Sequence, residues 1–200
     1  VNVGYGWSSF KPKVNPSFVA LGLTEDLDQK PEGLIGGGLA GYNFQSGDWV
    51  YGFEVTANAA SVKGSATNDF IVPAGVFANA GAPYTVAQVQ RSKMVDLYTA
   101  RLRLGYSFGN MLMYVTGGMA GAHVRTNFAL SALGQTVLSS DRQFHTGYTV
   151  GAGAAYKITE RLSARLDYSF VDLGNKTHQS VSHKKRANIV MLGLAYQFGN

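Results

Sequence analysis

Large apolar residues alternate with small or polar ones in eight segments of this chain. In the clearest, Tyr98, Ala100, Leu102, Leu104, Tyr106 and Phe108 fall on one side of an extended stretch, with Thr99, Arg101, Arg103, Gly105 and Ser107 on the other. Leu162, Ala164, Leu166, Tyr168 and Phe170 oppose Ser163, Arg165, Asp167 and Ser169 in the same way. Trp49, Tyr51, Phe53 and Val55 oppose Gly52, Glu54, Thr56 and Asn58, and Tyr148, Val150, Ala152, Ala154 and Tyr156 oppose Thr149, Gly151, Gly153 and Lys157. A period of two marks β-strands with one apolar face. The predicted strands are 1–8, 33–44, 49–60, 94–108, 111–124, 145–158, 162–173 and a closing strand from 188 onward. The fifth has small residues on both faces ("VTGGMAGA"), and its phase stays open.

The links alternate as strictly as the residues do. Short ones (45–48, the Gly-Asn pair 109–110, and 159–161) alternate with long segments at 9–32, 61–93, 125–144 and 174–187. A two-residue Gly-Asn link is a strong hairpin signal. Short turns at one end and long loops at the other are expected of a meandering outer-membrane barrel.

Alternation alone leaves the inside face undecided, because a soluble lipocalin-type barrel would bury the aromatic face. Three features favour the inverted arrangement, with the apolar face on lipid. The polar face is rich in glycine, as the narrow interior of eight strands requires. Its charges are of both signs. The aromatics gather in two belts. Tyr42, Phe44, Trp49, Tyr51, Tyr106, Phe108, Tyr156, Tyr196 and Phe198 lie near the short turns or the C-terminus, and Tyr5, Trp7, Tyr98, Tyr148, Tyr168 and Phe170 nearer the long loops. The two interfaces of a bilayer select such belts. The expected fold is all-β: one domain over 1–200, an eight-stranded antiparallel up-and-down transmembrane β-barrel with short periplasmic turns and long extracellular loops.

Composition agrees. Charged residues make up only 14% of the 200 and there is no cysteine, which excludes disulfides, zinc–thiolate sites and thiol nucleophiles. Mean hydropathy near zero argues against membrane helices but not against a barrel, in which lipid-facing and lumen-facing residues cancel. The uncharged run 70–90 holds Pro73 and Pro83 and would break as a helix. The chain opens inside a strand, so a signal peptide and a few mature residues are expected ahead of it. Four of the cations behind the net charge of +5 sit in one segment, so no nucleic-acid partner is expected.

Together "GGGLAGYNFQSGDWVYGFE", "TARLRLGYSFGNMLMYVTGGMAGA", "TGYTVGAGAAYKITERLSARLDYSFVDLG" and the closing "LGLAYQF" resemble the small alphaproteobacterial outer-membrane barrel family. That family includes major surface antigens and haemin-binding proteins and is similar in fold to the OmpA transmembrane domain. The resemblance covers nearly all the strands but none of the long loops. It implies that the last strand, with Tyr196 and Phe198, is the signal recognised by the barrel-assembly machinery. Family members generally end on the aromatic residue; here Gly199 and Asn200 follow it.

Candidate chemistry falls in four places. Glu54, Arg101, Arg103, Lys157, Arg165 and Asp167 are the expected lumen charges, either lining a gated pore or, as the narrow bore favours, pairing into a plug. The segment 174–187 carries Lys176, Lys184, Lys185 and Arg186, suited to lipopolysaccharide phosphates or another anion. It also carries His178 and His183, weak haemin candidates whose spacing is poor for a metal; a plain solvated loop explains the same residues. His178 and Ser180 with Asp172 make a remote acyl-transfer triad, for which no oxyanion donor can be named, so no enzyme activity and no cofactor are expected. Phe70, Ile71, Val72, Val76, Phe77 and Tyr84 make 61–93 unusually apolar; the segment either extends as a hairpin or folds over the barrel mouth, burying these groups itself, or docks a partner protein or another copy. The expected role is an outer-membrane scaffold supporting the envelope and presenting its loops to lipopolysaccharide or a protein partner. The alternatives are a narrow solute channel and surface haemin capture.

Overall fold

The computed structural model describes residues 1–9, 30–72, 84–132, 135–174 and 186–198. Eight strands close into one barrel in chain order: β1 (Asn2–Ser9), β2 (Glu32–Ser46), β3 (Trp49–Val72), β4 (Tyr84–Phe108), β5 (Met111–Ala132), β6 (Gln135–Lys157), β7 (Leu162–Asp172) and β8 (Arg186–Tyr196). All neighbours are antiparallel, and β8 closes on β1 from Asn2↔Gly193 to Ser9↔Arg186. Closure leaves no strand edge in lipid, where unpaired backbone groups would cost several kcal/mol each. Two of the short turns begin on a glycine of positive φ, Gly47 at 59° and Gly109 at 60°, a conformation that tight hairpins demand and side chains resist.

The alternation sorts as expected. Tyr98, Leu102, Tyr148, Val150, Leu166, Tyr168, Leu192 and Leu194 project outward, while Arg101, Arg165, Asp167 and Ser169 are buried inside. Near the short turns the outward aromatics pack in pairs: Tyr42 with Phe44, Trp49 with Tyr106, and Tyr196 with Phe198.

Three features extend or alter the sequence-based expectations. The long segments 61–93 and 125–144 are mostly strand. β3 and β4 stay paired from Lys63↔Lys93 to Val72↔Tyr84, and β5 and β6 stay paired to Ala132↔Gln135. Beyond the bilayer both faces of a hairpin meet water, so the period-two contrast fades although pairing continues. The phase of β5 is now settled: Tyr114, Thr116, Ala120, Ala122 and Val124 are buried and Met113, Val115 and Met119 face out. Finally, the ion pairs of the lumen gather toward the short turns, and its far section is mainly apolar beside the buried His145. Farther along the strands it fills with Ile35, Ala60, Val62, Leu97, Ala120, Ala122, Val171, Leu173 and Ile189, with Met94 and Met191 packed against them.

Candidate functional site

Glu54 organises the lumen. Its register places it opposite Arg101 and Gly52 opposite Arg103, so one glutamate on β3 faces two arginines projecting from β4 on the same side. Arg101 Nη2 donates to Glu54 Oε1 at 2.5 Å, and Arg103 Nη2 to Oε2 at 2.5 Å. The third partner comes from the far wall: Arg165 Nη1 on β7 donates to Oε2 at 2.5 Å. A strut therefore crosses the barrel at this level. Arg165 also clamps Asp167, two residues along the same face, through Nε at 2.9 Å and Nη2 at 3.0 Å. This fork-on-carboxylate geometry is open to Arg and not to Lys.

Three guanidiniums against two carboxylates leave one positive charge in excess. Tyr114 on β5 takes part of that load. Its hydroxyl donates to Asp167 Oδ1 at 2.7 Å, and its ring lies 4.2 Å from the Arg103 guanidinium carbon and 5.7 Å from that of Arg165. Such a face attracts a cation, most strongly where water is excluded. Room for the ring comes from Gly153 on β6, where a Cβ would stand 2.6 Å from Tyr114 Cζ. Arg101 Nη1 also donates to Ser169 Oγ at 2.9 Å. The Nε atoms of Arg101 and Arg103 are the cluster's buried groups without a partner.

Above the charges lies a neutral polar layer. Thr56 and Thr99 share a hydrogen bond of 2.8 Å, Asn58 donates to Thr56, and Thr149 donates to the Phe170 carbonyl. The apolar layer follows directly, with Ala122 0% and Leu97, Val171 and Ile189 1% exposed. Ions passing through would have to displace the arginine strut and then cross a mainly apolar section. Chemically, the arrangement holds the walls together and has no exposed group available to a substrate.

Residues 1–198 match the model of the family described as the outer membrane protein beta-barrel domain. The chain belongs to this family. The 25 kDa outer-membrane immunogenic protein of Brucella abortus is 26% identical across 98% of this chain and 75% of its own length. The 31 kDa outer-membrane immunogenic protein of Brucella melitensis is 30% identical across 99% of this chain and 81% of its own length. The 22 kDa outer membrane protein of Rhizobium leguminosarum is 29% identical across 86% and 69%, respectively. Among solved structures, Ail, the attachment invasion locus protein of Yersinia pestis, superposes with a TM-score of 0.43 at 16% identity, covering 98% of this chain and 95% of Ail. The protein is thus an outer-membrane barrel of the Gram-negative envelope, similar to surface antigens, and the relatives named here are called outer-membrane proteins rather than enzymes.

Against this family frame, the sequence-predicted residues fall into distinct groups. Glu54, Arg101, Arg103, Arg165 and Asp167 come together as one cluster. Lys157 does not join them. It is exposed at the last position of β6, beside the short turn, where its long side chain reaches water instead of the lumen. Tyr114 and Ser169 complete the cluster and were absent from the expected set. The inward phase of Ser169 was legible, but that of Tyr114 was hidden by the small residues around it.

Arg186 opens β8 and is paired: its Nε donates to Asp172 Oδ2 at 3.1 Å, and Asp172 Oδ1 accepts from the Gly174 amide at 3.0 Å. Asp172 is thus engaged at the β7–β8 end, and the other two members of the remote triad, His178 and Ser180, lie outside the described residues. Lys176, Lys184, Lys185, His178, His183 and Ser180 lie outside the described residues, as do Val76 and Phe77. Phe70, Ile71, Val72 and Tyr84 sit on the distal arms of β3 and β4, in register as Phe70↔Val86, Ile71↔Thr85 and Val72↔Tyr84. Tyr196 and Phe198 face outward at the closing end, their rings 4.9 Å apart.

Proposed function

We propose that the protein is a closed, non-conducting scaffold. It supports the outer membrane mechanically and holds its distal hairpins toward lipopolysaccharide or a protein partner. The observation that carries this reading is the filled lumen: an ionic strut from Glu54 to Arg165 on opposite walls, backed by an apolar layer around Leu97 and Ile189. A solute channel needs a continuous wet path, and these two layers act against one in different ways. The long paired arms of β3–β6 support the display role, because paired strands carry their tips beyond the bilayer at a defined register. Proteoliposomes containing the protein should swell in small sugars no faster than protein-free vesicles, and cells lacking it should leak periplasmic contents under detergent stress. Porin-like swelling rates, or an envelope indifferent to its loss, would contradict the proposal.

A further inference from the structure

The outer wall of the distal hairpins carries a row of cations. Lys63 on β3 is the register partner of Lys93 on β4, Lys93 of Arg125 on β5, and Arg125 of Arg142 on β6. All four are exposed, and the burial of their neighbours fixes their direction. Val62 and Val124 are buried in the lumen, and Met94 packs on its apolar layer, so Lys63, Lys93 and Arg125 point away from it. His145 is buried on β6, which puts Phe144 and then Arg142 on the outer face. Arg91 continues the patch one pair farther out, opposite Asn127.

Adjacent strands stand about 4.8 Å apart, so four positive charges lie within roughly 15 Å. Like charges placed directly across strands destabilise a sheet. Few acids relieve them. Asp96 lies 3.8 Å from Arg142 but is held by His123 Nδ1 at 2.8 Å, and Glu32 is opposite Lys63 in register without an ion pair among the described residues. Lys63, Lys93, Arg125 and Arg91 form no ion pair among the described residues. The row also follows the lipid-facing surface: on β6 it comes just after Phe144, and on β4 it lies beyond Tyr98, with Asp96 between them. Outward aromatics such as Phe144 favour a bilayer interface, and cations just beyond such an interface are placed to attract anionic headgroups.

We propose that this row, Lys63–Lys93–Arg125–Arg142, is a binding site for the anionic sugar headgroup of lipopolysaccharide, engaging its phosphate or carboxylate groups. It rests on the reading of the protein as a scaffold in contact with the outer leaflet, and it names one lipid and one wall for that contact. Lysines supply point charges and arginines planar donors, so anions at several spacings along the row can be held. Binding of the headgroup relieves the cross-strand repulsion, so the lipid and the distal hairpins stabilise each other.

The test uses the full chain refolded into zwitterionic micelles, with purified rough lipopolysaccharide as the probe. Lipopolysaccharide should raise the unfolding temperature of the wild type, and binding should weaken as salt rises. K63Q/K93Q/R125Q/R142Q should bind it roughly tenfold or more weakly, yet unfold at the same or a higher temperature without lipid, because the repulsion is gone. K93Q/R125Q gives the same pattern at smaller size should the fourfold variant not fold, and K63R/K93R should bind as the wild type does. Unchanged lipopolysaccharide affinity in a folded neutralised variant would overturn the site. Equal stabilisation by phosphatidylglycerol or by inorganic phosphate would overturn the choice of lipid. Failure here leaves the closed lumen standing, since these side chains point away from it, and vesicle swelling reports on the lumen alone.

Discussion

Two cationic groups in this barrel solve opposite problems. In the lumen, Arg101, Arg103 and Arg165 converge on Glu54 and Asp167 and are almost fully shielded from solvent. On the outer wall, Lys63, Lys93, Arg125 and Arg142 line up exposed, and among the described residues Arg142 alone has an ion pair, 3.8 Å from Asp96. A buried charge must find its counter-charge within the protein, because water cannot serve it there. An exposed charge at the membrane surface can take its partner from the lipid. The inner group therefore reports on how the barrel is held together, and the outer group on what surrounds it.

Substitutions separate the two by size. Removing the shared acceptor should do most damage: Glu54→Gln strands three arginines beside one aspartate and should cost about 3–5 kcal/mol in urea unfolding from micelles. Leu97→Ala opens a cavity in the apolar layer and should cost about 2–4 kcal/mol by the same measurement, with the ionic cluster intact. Tyr114→Phe keeps the ring over Arg103 but loses the hydrogen bond to Asp167, for about 1–2 kcal/mol. Lys157→Gln, at the exposed rim, should change stability by no more than about 0.5 kcal/mol. A Lys157 variant as damaging as the Glu54 variant would mean that the cluster extends to the rim and the contrast is wrongly drawn.

How legible each region was depends on whether its two faces meet different surroundings. Along 98–108 and 162–170 one face meets lipid and the other a polar interior, and the alternation sorted every residue correctly. The apolar layer was hidden for the converse reason. Ile35 follows Leu34, Leu97 precedes Tyr98, Val171 follows Phe170 and Ile189 precedes Val190, so both faces are apolar there and no contrast marks the inward one. On the distal arms of β5 and β6 polar residues such as Thr126, Asn127, Ser140 and Asp141 follow one another, so no contrast marks a strand there, whereas for the apolar segment 61–93 an extended hairpin is among the expected readings. Tyr114 sat in a strand of unassigned phase, although the glycine opposite it, Gly153, shows the space that it needs. The outer cationic row was invisible until register was known, since its four members are scattered from 63 to 142 and only pairing brings them side by side.

Electrical recording tests most directly whether the lumen is closed. Purified protein inserted into a planar bilayer should give no steady single-channel openings across the range of potentials that a bilayer tolerates. Large, steady, ion-selective openings from the wild-type protein would contradict a closed lumen.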